Sequence, residues 1–241
     1  MARLIAVGDI HGCSRALDLL LAEIDPQVDD TVVTLGDYVD RGPDSKGVLD
    51  RLINLGRRAR LVPLRGNHEL MLLSARQLGE DRYLWLECGG QALLDSYGRP
   101  GRPGTLDDIP EQHWQFVKSE CVNWYETATH FFVHAGAFPD MPLDEQPDDM
   151  LFWEPFEDRG PHVSGKVMIC GHTQQRSGEP INLGYAVCLD TWAYGDGWLT
   201  GLDIGSGRLW QTNQKGDRRT AYLDEFLTET GFDRWQPEPH A

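Results

Sequence analysis

The chain has 241 residues, of which 22 are basic and 38 acidic, giving a formal net charge of −16 at pH 7, with 40% hydrophobic and 25% charged residues. That length and mix suit an ordinary globular fold with a real core, whereas so acidic a chain lacks the basic face needed for sequence-independent nucleic-acid binding or for docking on anionic membranes. The five cysteines have no regular spacing and read as reduced thiols, and no apolar run approaches the ~18 residues of a membrane span.

Met1-Ala2-Arg3 runs straight into a short apolar segment without the pattern of a leader, so the expectation is a cytoplasmic protein, one domain over 1–241. Leu4 to Val7 reads as a strand. Ser14 is placed to cap a helix from Arg15 to Ile24, with Leu17, Leu20, Leu21 and Ile24 on one face. Thr31 to Leu35 is β-branched and strand-like, and Pro43 is read as opening a helix through Val48, Leu49, Leu52 and Leu55 that Gly56 ends. Arg60 to Leu64 gives a third strand and Glu69 to Arg76 a third helix. This alternation predicts parallel strands covered by helices.

Asp81 to Glu120 is helical in pattern, broken by the Gly/Pro-rich stretch 98–104. Strands return at Ala128 to Val133, Lys166 to Cys170, Tyr185 to Leu189, Trp198 to Ile204 and Arg208 to Thr212. The last two form a hairpin across Gly205-Ser206-Gly207. A late helix is predicted from Tyr222 to Glu229, and a frayed end after Trp235. Strands without intervening helices point to a second, more antiparallel layer. The predicted fold class is α/β: a two-sheet β-sandwich of mixed sheets flanked by helices.

Five polar clusters follow apolar runs directly: Gly8-Asp9-Ile10-His11-Gly12, Gly36-Asp37-Tyr38-Val39-Asp40-Arg41-Gly42, Gly66-Asn67-His68-Glu69, His134-Ala135-Gly136 and Gly171-His172-Thr173. Strand ends with glycine-containing turns are where such scaffolds carry function. In extended chain, alternate residues share a side, so Asp9 and His11 can address one ion. Carboxylate, imidazole and amide oxygen together suit manganese, iron, zinc or magnesium better than a thiolate zinc site.

The ordered set GDIHG, GDYVDRG, RGNHE, HAG and GHT resembles the phosphoprotein-phosphatase branch of the calcineurin-like metallophosphoesterases. Trp85-Leu86-Glu87-Cys88-Gly89-Gly90 looks like the WxxxGG segment of its small bacterial and bacteriophage members, and agreement is weaker at Leu189-Asp190-Thr191. The resemblance implies two divalent ions, manganese first: one held by Asp9, His11 and a bridging Asp37, the other by Asp37, Asn67, His134 and His172. It implies in-line attack by hydroxide shared between the ions, with no phosphoenzyme. His68 would be the general acid, oriented by Asp40, and Arg41 would grip the phosphoryl oxygens with Arg159 as its partner. Arg65 is a weaker candidate for the same rim.

The implied substrates are phosphoserine and phosphothreonine in proteins. The alternative is a nucleotide pyrophosphohydrolase resembling symmetrical diadenosine tetraphosphatase, whose pattern is GDLVARG, GNHD and GHW where this chain has Asp40, Glu69 and Thr173. A scaffold that kept the fold and lost catalysis should have lost ligands, which this chain has not. Glu69 is read as favourable helix-start charge. His113, His130, His162 and His240 match no motif and are read as structural or surface residues. Trp192, Tyr194 and Trp198 are read first as packing and second as a wall facing substrate, since the similar bacterial proteins have glycine where Trp192 stands. Asp140 to Asp149 reads as a solvated loop. Oligomeric state has no signal in the sequence.

Overall fold

In the computed structural model, residues 2–77 and 82–228 are described. The first sheet is built from β1 (Leu4–Val7), β2 (Thr31–Thr34) and β3 (Arg60–Pro63), which run parallel. Helices α1 (Ser14–Ile24), α2 (Ser45–Leu55) and α3 (Asn67–Gln77) follow them in turn. The helix starts differ slightly from the sequence expectation. Ser14 lies inside α1, with Cys13 before it and no side-chain cap, while α2 begins two residues after Pro43 with Asp44 accepting from the Gly47 N–H at 2.9 Å. Then come α4 (Arg82–Trp85), a wide π-type turn over Leu86–Gly90, α5 (Gln91–Ser96), α6 (Glu111–Gln115) and a second wide turn over Phe116–Glu120.

The second sheet contains β4 (Trp124–Glu126), β5 (His130–Val133), β6 (Val167–Cys170), β7 (Ile181–Asn182) and β8 (Ala186–Cys188), with the short α7 (Asp148–Phe152) between β5 and β6. Its order is β4-β5-β6-β8-β7, and β5, β6 and β8 are parallel. Finally β9 (Leu199–Asp203), β10 (Arg208–Thr212) and β11 (Arg218–Tyr222) extend the first sheet, whose order is β11-β10-β9-β1-β2-β3. The expected antiparallel layer is thus corrected: the late antiparallel strands pair onto β1, and the second sheet is parallel at its centre.

Strand alternation sets the layers. Ala6, Val33 and Leu35 of the first sheet meet Phe132, Ile169, Val187 and Leu189 of the second in one buried cluster between the sheets. Ile5, Val7 and Val32 point the other way, onto Leu17, Leu20, Leu49 and Leu52 of α1 and α2. Phe131, Val133 and Cys170 cover the outer face of the second sheet with Leu151 and Phe152 of α7. The acidic run read as a solvated loop therefore ends in a helix whose Met150, Leu151 and Phe152 are buried.

The predicted late helix is instead the last residue of β11 followed by a 3-10 turn over Leu223–Phe226. Its final residue Glu229, the predicted frayed end after Trp235, and His240 lie outside the described residues. Among the described residues no helix is long and apolar enough to cross a membrane.

Candidate metal centre and active site

Each polar cluster sits at the C-terminal end of a strand: Asp9 and His11 after β1, Asp37 to Arg41 after β2, Asn67 and His68 opening α3 after β3, His134 after β5 and His172 after β6. Parallel strands put those ends on one edge of the sandwich, so both sheets contribute to one site. Among the described residues, ligand atoms of His11, Asp37 and His68 all lie within 4.8 Å of one another, and so do those of Asp37, His134 and His172. Asp37 belongs to both groups. The loops carry unusual backbone: His11 (φ 42), Asp37 (φ 51), Asp40 (φ 68), Arg41 (φ 65), His172 (φ 62) and Trp192 (φ 65) are left-handed.

Three of the imidazoles have assigned tautomers because each turns one nitrogen onto a carbonyl, which can only accept. His11 Nδ1–H donates to Val39 O at 2.9 Å and His134 Nδ1–H to Leu35 O at 2.7 Å. His172 Nε2–H donates to Trp153 O at 3.0 Å. The lone pairs of the other nitrogens therefore face inward. His134 Nε2 lies 3.0 Å and His172 Nδ1 3.2 Å from Asn67 Oδ1, and His134 Nε2 is 3.4 Å from Asp37 Oδ1. Four acceptors converge there, an arrangement that a divalent cation satisfies. Burial pulls the pKa of His11 and His172 down and that of His134 down to about 4, so all three are neutral at pH 7, as ligands must be. Burial alone would raise Asp37, but His134, His68, His11 and His172 outweigh it and hold it far below the usual carboxylate range.

Asp9 is buried and accepts from the His172 backbone N–H at 3.0 and 3.1 Å. It is not part of either tight triad. Burial, then Asp190 and Asp37, push its pKa well up. His68 behaves differently from the other imidazoles. Its Nδ1 donates to Asp40 Oδ2 at 2.7 Å, while its Nε2 is buried, without a hydrogen-bond partner and 3.8 Å from Asp37 Oδ2. Burial lowers the His68 pKa, yet Asp37 and Asp40 together win and raise it. Nδ1–H thus faces a carboxylate, and Nε2 is the nitrogen turned towards the centre.

Arg41 is exposed, donates to His11 Nε2 at 3.0 Å and stacks over the Tyr194 ring at 4.8 Å. Arg159 is ion-paired with Glu154 at 3.3 Å and Glu157 at 3.1 Å and lines a small cavity beside Ala135 and Gly136. Arg65 has another occupation than the expected rim. Its terminal nitrogens donate to Asn123 Oδ1 (2.9 Å) and to the Lys118 and Cys121 carbonyls (3.1 and 2.9 Å), bracing β3 against the turn after α6.

Three residues near the site carry more than their sequence reading. Glu69, read as helix-start charge, is buried and accepts from the N–H groups of Asp37 (2.9 Å), Tyr38 (2.8 Å) and Gly66 (2.9 Å). Burial and then Asp37 push it up to about 7. Asp190 accepts from Trp192 N–H at 3.0 Å, leaves Oδ2 buried without a partner, and is pushed up to about 7 by burial. Its signals in the sequence were the weaker family agreement at Leu189-Asp190-Thr191 and the place of that segment after a predicted strand. Tyr194 packs its ring edgewise on His11 at 5.0 Å and so borders the candidate ligands. Trp198 instead stacks under Arg219 at 4.5 Å and is a packing residue. His113, His130 and His162 are buried and hydrogen-bonded to Tyr97, Thr129 and Ser164 respectively. Beside the His68 side of the site, a groove of about 510 Å³ is lined by Leu70, Met71, Leu84, Trp85, Cys88 and Trp153.

The sequence profile of the calcineurin-like phosphoesterases matches residues 2–201. The chain belongs to that family. Among its relatives, serine/threonine-protein phosphatase 1 of Salmonella typhimurium is 48% identical over 136 residues, covering 54% of this chain and 56% of that protein. A symmetrical bis(5'-nucleosyl)-tetraphosphatase of an Acidovorax species is 52% identical over 159 residues, covering 59% of this phosphoesterase and 47% of the other. The chain thus spans about half the length of the curated relatives it matches. The fold is similar to that of a putative diadenosine tetraphosphatase of known structure, with TM-score 0.63, 22% identity and coverage of 92% and 93%. The described residues of this phosphoesterase bring together two groups of side chains that could hold a metal ion, and the relatives alone do not separate the two substrate classes.

Proposed function

We propose that this phosphoesterase is a phosphomonoesterase that hydrolyses phosphoserine and phosphothreonine in proteins, using two divalent ions, with manganese the first choice. The observation that carries the reading is the buried His68–Asp40 pair at 2.7 Å with His68 Nε2 left without a partner. A serine or threonine alkoxide is strongly basic and leaves only if a proton is delivered to it. Cleavage between phosphates expels a phosphate group whose second pKa is about 6, which needs little such help. The tetraphosphatase pattern noted above has alanine where this chain has Asp40. The Asp40 carboxylate holds His68 Nδ1–H in place and favours the charged form of the ring, so Nε2, facing the centre, is the nitrogen from which a proton would be delivered.

Asp9, His11 and Asp37 are the proposed holders of one ion, and Asp37, Asn67, His134 and His172 of the other. When bound, two divalent ions supply Lewis-acid neutralisation of phosphoryl charge and activation of the attacking water. Asp37 can serve both ions because its two oxygens face opposite imidazoles, Oδ2 towards His11 at 3.3 Å and Oδ1 towards His134 at 3.4 Å. Arg41 offers a planar fork to the phosphoryl oxygens from the exposed side. Arg159 would join it only by exchanging its two glutamates for the phosphate.

The test is kcat/KM of the manganese-reconstituted protein on a phosphothreonine peptide against diadenosine tetraphosphate. A preference of more than about tenfold, roughly 1.4 kcal/mol, for the peptide supports the reading. The reverse preference overturns it and makes Tyr194 and Trp192 candidate platforms for a base.

A further inference from the structure

We propose that Trp85 is a positioning residue for proton delivery, its indole N–H fixing the Asp40 carboxylate so that His68 presents Nε2 to the leaving group. The inference rests on the general-acid reading of His68. Trp85 is fully buried, and its Nε1–H donates to Asp40 Oδ2 at 2.9 Å and Oδ1 at 3.1 Å. The same Oδ2 receives His68 Nδ1–H at 2.7 Å. Among the described residues these are the donors to that carboxylate. Asp40 is itself 0% exposed and stands on left-handed backbone, with its N–H on Ser45 Oγ at 3.0 Å. Without the indole, a buried carboxylate would have one donor and freedom to turn about its terminal torsion, and the His68 ring would turn with it.

The surrounding segment is shaped for this contact. The wide turn over Leu86–Gly90 brings the residue five positions after Trp85 back against its ring. A Cβ on Gly90 would lie 2.3 Å from Trp85 Cε2. Gly89 has φ 112, and its carbonyl accepts from Arg41 N–H at 3.1 Å, where a Cβ would come within 2.8 Å of Arg41 Cγ. The spacing of Trp85, Gly89 and Gly90 is thereby explained: the tryptophan holds Asp40, the first glycine holds Arg41, and the second makes room for the indole.

Trp85→Phe keeps an aromatic ring and removes the pyrrole half with its N–H donor. Its kcat should fall about tenfold on a phosphoserine peptide, a part of the 10²–10⁴ that a general acid contributes. On p-nitrophenyl phosphate, whose phenolate needs little protonation, the loss should stay within about twofold, with KM unchanged on both. Equal losses on the two substrates, or no loss, overturn the proposal. His68→Asn is measured alongside. If that variant loses equally on both substrates, the general-acid reading fails, whatever Trp85 does.

A readout on the metal-free protein is independent of turnover and of whether Trp85→Phe folds. The sequence-specifically assigned indole ¹⁵N–H of Trp85 should exchange slowly and shift in Asp40→Asn. Fast exchange, or a signal indifferent to Asp40→Asn, overturns the proposal.

Discussion

Asp37 shows how much a single side chain can be asked to do. Its carboxylate faces His11 at 3.3 Å and His134 at 3.4 Å, and its Oδ1 also accepts the His68 backbone N–H at 3.1 Å. Asp37→Asn keeps the shape and removes the charge, so kcat at saturating manganese should fall by about 100-fold or more, with a matching loss of metal affinity in a titration. His134 supplies a pH dependence. Its folded pKa of about 4 lies below the ordinary imidazole value, so between those two the unfolded chain binds the extra proton and the native state does not. That contribution to stability is complete above about pH 6.5 and is lost as the pH falls through about 4, up to about 3 kcal/mol in all. Urea midpoints of the metal-free protein should therefore drop over that range, and His134→Asn should flatten the drop.

At the scale of elements, the loops after β2 and β3 are packed so closely that no side chain fits between them. A Cβ on Gly66 would lie 2.2 Å from Asp37 Oδ1 and 2.5 Å from the Asp37 amide nitrogen. Gly66→Ala should push Asp37, the proposed shared ligand, out of register. Metal affinity should fall at least tenfold, at a cost of about 1–3 kcal/mol in stability, read by metal titration and by urea unfolding. The strands that feed the site were legible because each is a short apolar run with a glycine close after it, and every ligand candidate lay close to that glycine. Elements far from the site were not. In β11 the sheet edge is lined by Arg218, Arg219 and exposed neighbours, so it has no apolar alternation to read. With only three and two residues, β4 and β7 are below any periodic signal. Glu69 does stand in the first turn of α3, but its further role was not legible: three backbone N–H groups from two loops meet it, and such a hub exists only in three dimensions.

For the whole molecule, the centre joins the two sheets. His11, Asp37 and Asn67 come from the first sheet and its loops, His134 and His172 from the second, and the apolar cluster between the sheets lies beneath. An ion held by both halves would bind the folded state alone, so a divalent ion at 100 times its Kd should add about 2.7 kcal/mol. Chelation should lower Tm by roughly 5–10 °C for a chain of this size, and Asp37→Asn should lose most of that response. The left-handed backbone of His11, Asp37, Asp40, Arg41, His172 and Trp192 has an opposite effect. Each such residue is under strain on the order of 1 kcal/mol, most of all a bulky tryptophan. As the protein warms, these turns have the most to gain by relaxing, while neither sheet has reason to part. A far-ultraviolet spectrum that still looks native will then be a poor witness to a working enzyme, and release of the bound ion into a colorimetric indicator will be the earlier sign of ageing.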